Sequence, residues 1–203
     1  MGNLKLFIRK DWMVIRKYKW FFLLYLLIYS TLDSSNFLLT IVPATMIIFV
    51  SNSDLRPFHK YLGSLPLSRI GMVFGKYVSS GFYMMVGMAL AALFYLGGSY
   101  IRGTDPEMQN VILTFLTLSI FMAVYYPLYY WVGPKGGHLL LSFSWLIILG
   151  ATMGIFTSDI EVFRRMELFL NSGAGYVFTI ALIGIFLVPS FHLSVAIFRR
   201  KDF

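Results

Sequence analysis

Apolar runs long enough to cross a bilayer as helices recur along almost the whole chain, and that leaves few folds open to it. Apolar residues make up 58% of the sequence and the mean hydropathy is +0.74. A soluble domain holds about 45–50% apolar residues. The chain therefore reads as an all-α polytopic membrane protein. With 203 residues, nearly everything is spent on spans and short loops. The expectation is one transmembrane domain over 1–203, with no separate soluble domain. The absence of cysteine excludes disulfides, thiol nucleophiles and thiolate metal sites.

Residues 1–19 are basic and amphipathic. On a helical projection Leu4, Phe7, Ile8, Trp12, Val14 and Ile15 gather on one arc, while Lys5, Arg9 and Arg16 share another. This predicts an interfacial helix with its cations toward anionic headgroups. Asp11 falls within the apolar arc, where a carboxylate needs a partner. Two readings stand: a salt bridge to a neighbouring Lys or Arg, or contact with a cytosolic partner.

The runs 20–31 and 37–50 are separated by Asp33, Ser34, Ser35 and Asn36. One interrupted helix over 20–50 would carry Asp33 and Asn36 to the bilayer centre. A two-span hairpin with a tight outer turn is the less costly reading. Further spans are expected at 72–100, 111–132, 139–156 and 174–198, which gives six. A positive-inside count supports this order. Inner segments hold six Lys/Arg in 1–19, four in 52–76, Lys135 and three at 199–201. The outer loops hold only Arg102, Arg164 and Arg165. Both termini are accordingly expected in the cytoplasm. The outer segment 157–173 mixes charges with Ile160, Val162, Phe163 and Leu168, and is expected to form a short helix at the outer leaflet, capped at Ser158 or Asp159.

Apart from Lys76 at the start of the third, which is counted with the inner segment 52–76, the six expected spans contain no Asp, Glu, Lys or Arg, whereas ion-coupled transporters and intramembrane enzymes place ionisable groups at depth. His59, His138 and His192 share no ligand-like spacing, so no metal site is expected, and His192 reads as a hydrogen-bonded core residue. The run from Gly71 to Tyr77 superficially resembles a phosphate loop. Its glycines are one residue too close, and Tyr77 stands where Ser or Thr must meet Mg²⁺. Gly150 and Gly154 form a GxxxG, read as a helix-packing motif. Tyr125, Tyr126, Tyr129, Tyr130 and Trp131 surround Pro127 and read as an interfacial aromatic belt or, alternatively, a stacking surface. Nothing here is catalytic.

The longest polar interruption, 52–76, carries Asp54, Arg56, His59, Lys60, Arg69 and Lys76. It also carries Leu55, Pro57, Phe58, Tyr61, Leu62, Leu65 and Pro66, enough apolar surface to bury a face outside the bilayer. It reads either as an amphipathic segment on lipid headgroups or as a docking helix for a cytosolic protein.

Taken together, Arg9-Lys10-Asp11 on a basic N-terminal helix, a short two-span hairpin, the element Leu65-Pro66-Leu67-Ser68-Arg69 and the helix start Gly75-Lys76-Tyr77 resemble the small type 2 ABC permeases of bacteria. The similarity covers the whole chain in order. It implies a multi-pass subunit of the bacterial cell membrane that pairs with a second permease chain, identical or different, and with two copies of a separate cytosolic ATPase. ATP and Mg²⁺ would bind that ATPase, and no cofactor would bind this chain. Residues 1–19 would be a connecting helix and 51–70 a coupling segment. Asp54, Leu55, Arg56, Pro57, Phe58, His59, Lys60, Tyr61, Leu62, Leu65 and Pro66 would dock the ATPase, with Asp11 reaching the same partner. The cavity would be lined mainly by spans two and five, and 157–173 would match the extracellular gate region. Its uncharged wall suits amphipathic or apolar cargo, such as peptides, antimicrobials or lipids. The rival readings are a secondary transporter and a non-transporting anchor or immunity protein.

Overall fold

The computed structural model describes residues 2–32, 37–52, 68–103, 108–133 and 173–200, with 140, 142–144, 146 and 150 between the last two. Among these residues the chain is helical and contains no strand. We number the helices α1 (Gly2–Lys17), α2 (Lys19–Leu32), α3 (Phe37–Asn52), α4 (Arg69–Arg102), α5 (Met108–Val132) and α6 (Gly173–Arg200). Helices α4, α5 and α6 are long and apolar enough to cross a membrane, whereas α2 and α3 are apolar but shorter. Of the fifth expected span, only Leu140, Ser142, Phe143, Ser144, Leu146 and Gly150 are described, each helical.

Helices α2 and α3 form a hairpin. Tyr18, at the turn before α2, stacks on Phe49 near the end of α3 with ring centroids 4.7 Å apart, and Phe22 meets the same ring edge-on at 5.8 Å. A single continuous helix would hold these residues some 45 Å apart at about 1.5 Å per residue. The chain therefore turns back between them.

Helix α4 is the organising element. Its 34 residues extend about 50 Å, well beyond a hydrocarbon core of about 30 Å. Ser68 caps its start, the side-chain Oγ accepting from the Gly71 backbone N–H at 3.1 Å. Gly103 ends it in the left-handed region at φ 68°. Two apolar clusters meet on α3 and α4. One seats Ile15, Phe22 and Leu26 against Val42, Met46 and Tyr83. The other joins Ile47 and Tyr77 to Leu118, Met122 and Tyr126 of α5 and to Phe198 of α6.

Close approach to α4 depends on two glycines. A Cβ on Gly75 would lie 2.8 Å from the Phe7 ring, and one on Gly87 would lie 2.8 Å from the Pro43 Cα. The first lets α1 settle on α4, and the second lets α3 cross it backbone to backbone. With Ala91 one turn on and fully buried, Gly87 forms the small-xxx-small pattern of a tight membrane crossing. Of the expected packing pair, only Gly150 is described. Gly150 is exposed, and a Cβ there meets nothing within 4 Å among the described residues. Gly154 lies outside those residues.

Helix α1 departs from its projected arc. Its buried stripe is Phe7, Asp11 and Ile15, four residues apart each time, while Trp12 is 51% exposed beside Arg9, Met13 and Arg16. The apolar arc therefore does not fix which residues point inward. The partner groups on α4 fix it, and one of them is a cation.

Candidate functional site: a buried ion pair and two hydroxyl chains

The end of the bundle where α3 and α6 stop and α4 begins holds a cluster of buried polar groups. Asp11 is fully buried. Its Oδ1 lies 3.7 Å from Lys76 Nζ and 3.5 Å from Lys10 Nζ, and its Oδ2 accepts from Ser79 Oγ at 2.5 Å. Tyr83 adds a third tie to α1 by donating its hydroxyl to the Ile8 carbonyl at 2.7 Å. Lys76, Ser79 and Tyr83 sit at i, i+3 and i+7, so one face of α4 presents a cation and two hydroxyls to α1. Lys76, itself buried, also donates to the Val50 carbonyl in the last turn of α3.

Of the two readings of Asp11, the salt bridge is the one found. Both carboxylate oxygens are buried in this chain. The expectation of an uncharged interior also needs correcting. Helix α4 starts at Arg69 rather than 72, so Lys76 lies about 10 Å inside the helix and is buried with its counter-ion. In the sequence Asp11 stands out as a carboxylate on an apolar arc, whereas Lys76 closes the polar stretch 52–76 and gives no sign of its partner.

Two hydroxyl chains continue the network. Ser51 Oγ spends its hydrogen on the Ile47 carbonyl at 2.8 Å, so the 3.1 Å contact with Tyr126 is a bond from the phenol to Ser51. Tyr126 in turn accepts from Ser80. This chain runs α4 to α5 to α3. The second runs α6 to α4, back to α6 and on to α5. Ser190 Oγ donates to the Ala123 carbonyl at 2.5 Å, Tyr77 donates to Ser190 at 2.7 Å, and Ser194 donates to Tyr77 at 2.9 Å. The Ala123 carbonyl is the one that residue 127 would serve in an unbroken helix. Pro127 has no N–H to give, and Ser190 of the neighbouring helix supplies the missing donor.

The aromatic run on α5 therefore has a different role from the one expected. Tyr125, Tyr126, Tyr129 and Tyr130 are all buried, and only Trp131, 66% exposed, has the exposure of a belt residue. Positions i, i+1, i+4 and i+5 share one helix face, and that face packs inward on Tyr77 (4.6 Å between the Tyr77 and Tyr126 centroids) and Phe198 (5.3 Å from Tyr130). His192 is exposed rather than in the core. It lines a shallow groove with Pro127 and Pro189.

Beside the tyrosines lies a cavity of about 460 Å³. Its wall is mostly α5, including Phe121, Tyr125 and Trp131, closed by Thr40 of α3 and by Leu140 and Phe143. Among the described residues span four contributes most of this wall, where the resemblance implied spans two and five. Thr40, Thr117 and Ser144 bring hydroxyls, and among the described residues no charged side chain lines it. Among the described residues no three His, Asp or Glu side chains come together. The inferred docking residues from Asp54 to Pro66 and the segment 157–172 lie outside the described residues.

Among its described residues the chain is thus a set of apolar helices with a buried ion pair and an apolar cavity beside it. The family model described as ABC-2 family transporter protein matches residues 6–199, nearly the entire chain. The chain belongs to that family, the membrane component of an ABC transporter and not its catalytic part. No curated protein and no solved structure matches it.

Proposed function

We propose that this chain is the permease subunit of a bacterial ABC exporter that moves amphipathic or apolar cargo (a peptide, an antimicrobial or a lipid-like molecule) with ATP hydrolysed by a partner ATPase. The observation that supports the cargo class is the cavity wall, whose described residues are aromatic and aliphatic with a few hydroxyls and no charge. Two permease chains and two ATPases would form the complete machine in the cell membrane, with ATP and Mg²⁺ on the ATPase and no nucleic acid involved. The chain would cross the membrane six times with both termini in the cytoplasm, as the lysine and arginine distribution supports.

Topology is testable because the chain has no cysteine of its own. Single cysteines at Ser64 and Gly136 should react only with reagent on the cytoplasmic side, and those at Gly103 and Ser172 only from outside. Labelling of position 64 from outside would refute the scheme.

The ATPase-docking reading of 51–70 is tested at Phe58 and Tyr61. Replacing either with Ala removes an aromatic anchor, which at an interface costs about 2 kcal/mol, or roughly a thirtyfold loss of affinity. Co-purification of the ATPase should fall accordingly, while membrane insertion is retained. The isolated chain should neither bind nor hydrolyse ATP, and the complex should do both, at a rate that cargo changes. If the double variant keeps full ATPase binding and transport, the segment lies on lipid instead.

A further inference from the structure

A groove runs along the seam between α5 and α6 toward the basic end of α6. Ala123, Pro127 and Ser190 lie buried along it, and Phe186, Leu193 and Ala196 stand exposed at its edges. Pro189, Leu193, Ala196 and Arg200 follow at i, i+4, i+7 and i+11, so the groove and Arg200 share one face of the helix. From Phe186 to Ala196 the groove extends about 15 Å along α6, which matches one leaflet of a hydrocarbon core about 30 Å thick. Arg200 lies about one turn beyond its end. Arg199 and Arg200 are both exposed, and Arg69 Nη1 donates to the Arg199 carbonyl at 2.8 Å, which brings a third guanidinium to this end. Asp11, the one carboxylate among the described residues, is buried against Lys76, so no described carboxylate pairs with this cluster.

From this arrangement we propose that the groove binds one anionic phospholipid, with an acyl chain between α5 and α6 and the phosphate at Arg199 and Arg200. Three features select that occupant. The arginine cluster attracts an anionic headgroup and offers the paired N–H donors that a phosphate accepts. The groove has the depth of one leaflet and opens at the arginine end, as a lipid chain entering from that surface requires, whereas a spanning helix of a second copy would press along the whole core. His192 stands exposed beside the groove and forms no hydrogen bond among the described residues. A polar group facing hydrocarbon is costly, and the ester oxygens of a phospholipid are acceptors that its chains lack. The groove is separate from the proposed cargo cavity, since Val124 is the one described residue that lines both. The lipid is a resident of the α5–α6 seam rather than cargo, so the site does not depend on what the chain transports.

Native mass spectrometry of the full chain in detergent, titrated with phosphatidylglycerol or phosphatidylcholine of equal chain length, reads the affinity of the first bound lipid. The native chain should prefer phosphatidylglycerol. Arg199→Gln with Arg200→Gln should lower its affinity roughly thirtyfold and abolish the preference, while the backbone carbonyl that holds Arg69 stays in place. Ala196→Trp fills the groove and keeps all three arginines. It should weaken both lipids roughly tenfold, as the loss of about two buried methylenes would. Leu193→Trp, deeper in the groove, should act alike, and both positions are exposed, which spares the core. Glycerol 1-phosphate, which has no acyl chain, should not displace phosphatidylglycerol. Equal affinity of the native chain for the two lipids would overturn the anionic headgroup. Native-like phosphatidylglycerol binding in both Trp variants would reduce the arginines to a general basic surface and overturn the groove. Displacement by glycerol 1-phosphate would make this a free-phosphate site and overturn the lipid. Loss of a dimer in Ala196→Trp with lipid binding intact would assign the groove to a second copy instead.

Discussion

Lys76→Met should destabilise the folded chain by about 3 kcal/mol, the low end of the 3–5 kcal/mol cost of breaking a buried ion pair from one side. The substitution leaves the Asp11 carboxylate fully buried with Ser79 and with Lys10, whose side chain is 19% exposed and competes for water. It also removes the donor to the Val50 carbonyl. Lys10 supplies some of the missing charge, which is why the lower figure applies. The second half of the prediction is the compensating change. Asp11→Asn in the same chain replaces the stranded charge with an amide that still accepts from Ser79. The double variant should recover most of the loss, because replacing both members of a buried pair is close to neutral. Equilibrium unfolding in SDS mixed micelles measures both. A single variant as stable as the native chain would mean that Asp11 and Lys76 do not hold α1 to α4.

Gly87→Ala should cost about 1–3 kcal/mol through overpacking, and Gly87→Leu more. The new Cβ would sit 2.8 Å from the Pro43 Cα, 3.1 Å from the Pro43 Cβ and 3.0 Å from the Met46 Sδ. Met46 can swing aside. Pro43 is backbone inside α3, and only a shift of the whole helix relieves that contact. Working against the clash is helix propensity, which favours Ala over Gly by about 1 kcal/mol. The same helix contains its own control. Gly81 has nothing within 4 Å of a built Cβ, so Gly81→Ala should collect the propensity gain alone and be neutral or stabilising. Opposite signs at positions 81 and 87 in the same unfolding assay would identify the crossing as the cause. If both variants stabilise, the α3–α4 approach is looser than described. Gly150→Leu should leave the stability of a single chain unchanged within a few tenths of a kcal/mol, as surface substitutions do. A large effect there would come from contact with another chain or with residues outside those described.

These two sites also mark how far the residues could be read in advance. The hairpin was legible because four polar residues, Asp33 to Asn36, cannot sit cheaply between two apolar runs, and α2 and α3 end where those runs end. The starts and ends of α5 and α6 came within a few residues of their expected limits for the same reason. The GxxxG at Gly150 and Gly154 and the crossing at Gly87 and Ala91 look alike in the sequence. A small residue permits close approach, but only the neighbouring helix decides whether the approach takes place.

The sequence by itself determined that this chain is helical, that it belongs in a membrane, roughly where its helices begin and end, and through Leu65 to Arg69 and Gly75 to Tyr77 the family to which it belongs. Only the tertiary structure decided which way each helix faces. It turned the α5 tyrosines inward and His192 outward, gave Asp11 to Lys76, and matched Ser190 to the carbonyl that Pro127 leaves without a donor. The physical reason is the solvent. In water an apolar stripe identifies the buried face of a helix. In a bilayer the lipid-facing and core-facing sides are both apolar, so hydropathy reports depth but not direction. Direction is set by the polar groups, which are costly to leave unpaired at depth, and a polar group names its partner only when the other helix is in place.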